Sequence, residues 1–151
     1  MAEAAVPLLW AALHVVKSAS SLWAGILSDR IGRRGAIIAG WLTYAAVYAG
    51  FAVVGSAGQV WGLFLVYGLY FGLTEGVEKA LVADLTPAAA RASAYGAYHT
   101  AIGITALPAS LLTGWLWQRF DAGVAFGTGA VLAAAAAILL WALLRESGRS
   151  S

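Results

Sequence analysis

The stretch GILSDRIGRR, Gly25–Arg34, sets four ionic side chains, Asp29, Arg30, Arg33 and Arg34, directly behind a long apolar run. Elsewhere the chain is sparing with charge: 62% of its 151 residues are hydrophobic and 11% are charged, with a mean hydropathy of +0.81. Soluble domains carry about a quarter charged residues, so this composition places the chain in a membrane. The absence of cysteine excludes a disulfide framework and thiolate metal sites. A formal net charge of +2 is too small to point to nucleic acid. Where the bases sit matters more than their sum.

Outward from that stretch, five apolar runs are each long enough to cross a hydrocarbon core about 30 Å thick as a helix. They predict spans near Ala5–Leu27, Ala36–Val54, Val60–Ala83, Ala94–Trp117 and Val124–Leu144. The connections GSAGQ (Gly55–Gln59), DLTPAAARAS (Asp84–Ser93) and QRFDAG (Gln118–Gly123) are brief, which forces neighbouring helices to run antiparallel. The expected fold is an all-α polytopic transmembrane bundle occupying residues 1–151 as one unit. The leader MAEAA has an acid and no base, so the first run reads as a retained span rather than a signal peptide. Arg30, Arg33 and Arg34 follow the first span, Arg91 the third, and Arg145 and Arg149 the fifth, against Arg119 alone on the other side. This asymmetry predicts a cytoplasmic C-terminus and an outside N-terminus.

Gly25, Asp29, Arg30, Gly32, Arg33 and Arg34 together spell G-x-x-x-D-R-x-G-R-R. The pattern resembles the signature loop of the major facilitator superfamily, found between the second and third helices of the N-terminal half and, often degraded, between the eighth and ninth. Three arginines after a span are by themselves an ordinary positive-inside anchor. The two glycines and the aspartate at fixed offsets favour the family reading. Gly25 suits close approach of a neighbouring helix, Asp29 suits capping or charge complementation of a helix N-terminus, and the arginines offer ionic contacts. The resemblance implies that this loop is a gating latch stabilising one of two access states.

A second stretch, EGVEKALVADLTPAAARASAYGAYHTAIGITALPASLLTGWLW (Glu75–Trp117), is similar to the tenth and eleventh helices of bacterial members of the superfamily. Together the two stretches imply that the five spans are helices eight to twelve of a twelve-helix fold, a C-terminal half lacking its first helix. Helices two to six fit the topology as well, but the chain ends in the short tail RESGRSS instead of running into a second half. The implied function is secondary transport of a small solute by alternating access, in the bacterial inner membrane and with the N-terminal half supplied in cis or in trans. The rival reading is a truncated or split membrane protein that does not transport and acts as an assembly partner. An enzyme is disfavoured: no nucleophile–base pair, metal-ligand cluster or phosphate-cradling loop is present in the sequence, and no cofactor is expected.

Polar residues are unevenly distributed over the five spans. His14, Lys17, Ser18, Ser21 and Gly25 share one face of the first, and Gly68, Gly72, Glu75, Gly76 and Lys79 one face of the third. Gly96, His99, Gly103, Ser110 and Gly114 make a stripe on the fourth. The second and fifth spans show nothing comparable, which matches the superfamily's peripheral ninth and twelfth helices. Gly68, Gly72, Gly76, Gly96, Gly103 and Gly114 read as helix-packing positions, since small residues let transmembrane backbones meet. His14, Lys17, Glu75, Glu78, Lys79 and His99 are candidates for a proton or substrate pathway, because a charge near the bilayer centre costs roughly 3 kcal/mol and must be paired or hydrated. Lys17 and Glu75 both fall about 14 Å from the cytoplasmic helix ends, which makes them natural partners across two helices. Glu75 can equally pair with Lys79 on its own helix at i,i+4. Glu75 or Glu78 is the expected protonation site, its charge state depending on whether Lys17 is near. The two histidines suit proton relay, substrate contact or plain interhelical hydrogen bonding.

Overall fold

The computed structural model describes the backbone of residues 5–147 and the side chains of residues 6–142. Glu3 and Arg149, on which the leader and part of the charge asymmetry rest, lie outside the described residues, as does the side chain of Arg145. Five helices follow one another: α1 (Ala5–Ile31), α2 (Arg33–Ala52), α3 (Ala57–Asp84), α4 (Arg91–Arg119) and α5 (Ala122–Ser147), with a 3-10 turn at Ala88–Ala90 before α4. Among the described residues four segments are both long and apolar enough to cross a membrane: Arg33–Ala52, Ala57–Asp84, Ala88–Arg119 and Ala122–Ala142. With 27 residues α1 is long enough too, and His14, Lys17 and its serines interrupt an otherwise apolar surface. The expected fifth span is therefore a helix of mixed character, whose polar face needs partners within the protein.

The connections are shorter than the apolar runs suggest. No loop separates α1 from α2: α1 continues through Asp29 and Arg30, and Gly32 alone breaks the helix at φ +83° and ψ 145°. A side chain is strained in that conformation, which glycine adopts freely. Ser56 opens α3 with a capping box, its hydroxyl accepting from the Gln59 amide while the Gln59 side chain accepts from the amides of Gly55 and Ser56. At the start of α5 the Asp121 carboxylate accepts from the Val124 amide at 2.8 Å, as an N-cap does.

Packing concentrates on α1 against α3, α2 against α3 and α2 against α5. The α2 face of Ala36, Ile37, Gly40, Val47 and Phe51 is buried, and Ala125, Ala130 and Ala137 of α5 are buried with it. An aromatic cluster, with Tyr48 seated against Gly129, joins Tyr44, Tyr48 and Phe51 of α2 to Phe64, Tyr67 and Tyr70 of α3 and Phe126 of α5. Holding the bundle together in this way is a separate matter from bordering a central cavity, the property in which the second and fifth helices are expected to differ from the others. A helix without charge is still a packing helix when its small residues let a neighbour close in, and here α4 is the outlying element, with no buried residue. The many large apolar side chains left bare, Leu22 at 77% and Trp23 at 74% exposure among them, are what a lipid-facing surface presents.

Candidate functional site

Two glycines bring the charged faces of α1 and α3 together. A Cβ on Gly68 would lie 2.8 Å from the Leu13 carbonyl oxygen, and one on Gly72 would run into the Ser20 hydroxyl and sit 3.1 Å from the Lys17 carbonyl oxygen. Only glycine lets the backbones meet this closely. One helical turn along, the close approach sets Lys17 beside Glu75, and their ion pair crosses from α1 to α3. The other Glu75 oxygen accepts from Lys79 at 3.1 Å. Cross-helix and within-helix pairs thus exist at once, on separate oxygens of one carboxylate. Lys17 also stands 5.6 Å over the Phe71 ring, a distance at which the ring's negative face attracts a cation. The cluster borders an open cleft of about 230 Å³ floored by Phe71, Gly72 and Gly76. Two ammonium groups facing one carboxylate leave it with a formal excess of one positive charge.

Glu78 belongs to a different site. Three residues on from Glu75, it faces α2 and α4, where Trp41 Nε1 donates to one of its oxygens at 3.1 Å and the Tyr98 hydroxyl to the other at 2.7 Å. Tyr95 reinforces the same junction by donating to the Lys79 carbonyl at 3.0 Å. Glu78 is thus a three-helix clamp set apart from the cleft, and Trp41, Tyr95 and Tyr98 are partners that spacing alone did not single out. A half-buried acid needs donors, but Trp61 and Tyr70 are nearer to Glu78 in the sequence than Trp41 and Tyr98, so the sequence held no signal for this pairing. His14 is exposed and stacks on Trp10 at 5.7 Å, while His99 is exposed and meets the Tyr98 ring edge-on at 5.1 Å. Neither histidine is brought to Glu75.

The signature residues make a second polar centre at the α1–α2 junction. Arg33 Nε donates to Asp84 at the end of α3 at 2.8 Å, and its Nη1 lies 3.1 Å from the Ser28 hydroxyl and 3.3 Å from Asp29. One guanidinium therefore holds the ends of three helices. Asp29 is in the last turn of α1 and pairs with Arg33; the N-cap position of α2 is Gly32, without a side-chain cap. Arg30 and Arg34 are exposed. Gly25 has open space beside its Cα, so it makes no close helix approach, and the same holds for Gly76, Gly96, Gly103 and Gly114. Of the six glycines expected to pack, Gly68 and Gly72 are the two whose surroundings require the missing side chain.

Over residues 2–151 the sequence matches the family description Major Facilitator Superfamily. The chain belongs to that superfamily. Its major facilitator relatives include an uncharacterised MFS-type transporter of Methanocaldococcus jannaschii, 41% identical over 116 residues, which cover 77% of this chain and 29% of the relative. A probable 4-methylmuconolactone transporter of Cupriavidus pinatubonensis is 33% identical over 137 residues, covering 87% of this chain and 32% of that protein. An uncharacterised MFS-type transporter of Bacillus subtilis is 32% identical over 100 residues, or 64% of this chain and 24% of the relative. The major facilitator chain thus spans less than a third of the length of each. No solved structure matches it significantly. Family and apolar helices together make it an integral membrane protein.

Proposed function

We propose that residues 1–151 form helices eight to twelve of a major facilitator transporter, which moves a small solute across the membrane by alternating access coupled to protons. The observation that carries this reading is the Lys17–Glu75–Lys79 cluster, set on two membrane helices beside an open cleft. With Glu75 ionised, its carboxylate occupies both ammonium groups. A proton taken up by Glu75 removes that charge and leaves Lys17 and Lys79 to hold an anionic group of the solute in the cleft. Release of the solute restores the ion pairs, and the proton leaves Glu75. Solute and proton are linked because the solute's anionic group and the Glu75 carboxylate compete for the same two cations and the proton takes the carboxylate out of that competition, so each raises the affinity for the other as coupling requires. The excess of positive charge favours an organic anion over a neutral sugar, and a transporter named for a lactone stands among the relatives.

The Gly25–Arg34 segment serves as the gating latch, with Arg33 clasping Asp84 in one access state. The rest of the transporter, supplied in cis or in trans, completes the path. The five helices sit in a bacterial inner membrane with the C-terminus in the cytoplasm, as the distribution of arginines indicates. Replacing Glu75 with Gln in the full-length transporter is expected to abolish proton-linked uptake in energised membrane vesicles while the protein keeps its normal thermal midpoint in detergent. Undiminished proton coupling in that variant refutes the role given to Glu75.

A further inference from the structure

Two cavities meet in the seam between α1 and α3. The charged cleft beside Glu75 shares Ser21, Gly72 and Gly76 with a second cavity of about 230 Å³, which runs on past Gly25 to Ser28 and, from α2, Arg33. Ser21 to Ser28 is about 10 Å along the helix axis. The two cavities therefore form one lane from Glu75 to the arginine of the latch.

Glycines make that lane. α1 and α3 touch at Gly68 and Gly72, where a Cβ would run into the facing helix, and they part beyond: a Cβ on Gly25 or Gly76 would meet nothing within 4 Å. Glycine inside a helix is less favourable than alanine, and at these two positions no close contact offsets the loss. Gly96, Gly103 and Gly114 are equally bare but border neither cavity. What Gly25 and Gly76 share is the space they leave in the seam. The lane is also polar. The Ser21 hydroxyl donates to the Ser18 carbonyl at 2.9 Å and the Ser28 hydroxyl to that of Gly25 at 2.8 Å, and a hydroxyl that donates still has oxygen lone pairs to accept with. The second cavity has room for several waters at about 30 Å³ each.

We propose that this lane is a water-filled route by which protons pass between Glu75 and the cytoplasmic face, separate from the path of the solute. The inference rests on the reading of Glu75 as the protonation site. Rocking of two halves about a midplane site carries the solute between the halves, whereas the lane lies between two helices of one half. A carboxylate exchanges its proton only with a group in hydrogen-bond reach or through water, and a file of water past Ser21 and Ser28 supplies that contact. Latch and lane share Arg33, which bonds Ser28 and Asp84 at the lane's outer end. Release of the latch thus opens the lane in one access state only, which keeps protons from leaking past Glu75 without solute.

The test is the access of silver ion, a thiol reagent no bulkier than water, to the full-length transporter in inside-out vesicles. Any cysteine outside residues 1–151 is replaced by serine, and thiols that escape silver are counted with a fluorescent maleimide after denaturation. Silver is expected to block Gly76→Cys. It is expected to spare Trp23→Cys, about 200° around α1 from Ser21 and 74% exposed, because a thiol in lipid does not ionise. Gly25→Leu or Ala80→Leu, each filling the second cavity from a different helix, is then expected to protect Gly76→Cys down to the level of the position-23 control. Silver that still reaches position 76 in the plugged proteins, or never reaches it at all, overturns the lane. The plugs sit on α1 and α3, so one that prevents accumulation leaves the other to decide. Asp84→Ala, which frees Arg33, is expected to speed the block at position 76, and an unchanged rate overturns the gate. These readings are independent of transport: a failed lane with coupling lost in Glu75→Gln refutes the route alone, and retained coupling in Glu75→Gln refutes the proton role.

Discussion

At the scale of single residues, Gly32 and Glu75 show how much one position carries. Gly32 turns the chain between two helices at φ +83°, and replacing it with alanine is expected to destabilise the bundle by roughly 1–3 kcal/mol, the range for a side chain forced into such a region. A lowered thermal midpoint in detergent measures this. The residues themselves were legible: an acid and a base near the bilayer centre must find each other, and Lys17 and Glu75 do. Not legible was that Glu75 would hold two lysines while Glu78 turned to Trp41 and Tyr98. Three residues along a helix is a rotation of about 300°, enough to send two carboxylates to different neighbours once those neighbours are placed. Sequence spacing gives the rotation but not the neighbours.

Among the helices, small residues decide which pairs close. Gly68 faces the Leu13 carbonyl, where an added Cβ would sit at 2.8 Å, whereas Gly103 has open space beside it. Gly68→Ala is therefore expected to push α1 off α3 and destabilise by about 1–3 kcal/mol, the usual cost of overpacking. Gly103→Ala should be neutral or slightly stabilising, because alanine is the better helix former by up to about 1 kcal/mol. Thermal midpoints of the two variants compared side by side check the contrast. The glycine stripes predicted packing faces of equal standing, but a stripe only permits close approach; the partner helix has to be there. Helix number and order were legible because apolar runs of membrane length have no other stable fate. The end of α1 and the starts of α2, α3 and α4 were under-read by about a turn, since hydropathy falls at residues such as Asp29, Arg30, Arg33 and Arg91 while the helix continues through them, whereas α2 ends at Ala52, two residues before the expected Val54.

Seen whole, the molecule has an electrically marked side. Arg30, Arg33, Arg34 and Arg91 lie at one end of the bundle and Arg119 at the other, an asymmetry that orients membrane proteins. Residues 1–151 contain no cysteine, so Ala57→Cys and Ala89→Cys each place one thiol in this segment, at exposed positions in opposite turns. In intact cells a membrane-impermeant maleimide is expected to label Ala57→Cys and to spare Ala89→Cys until the membrane is opened; the reverse result inverts the topology. Which helices pack on one another was the least legible feature at this scale, because the alanines and tyrosines through which α2 and α5 meet carry no charge to announce them. The Gly32 junction has a mechanical consequence. A linker of one residue has no slack, so a tilt of α1 passes to α2 within a single peptide unit, and the grip of Arg33 on Asp84 passes it on to α3. At that face of the membrane three rods move as one lever, and lengthening the junction with inserted glycines would turn the lever back into rods.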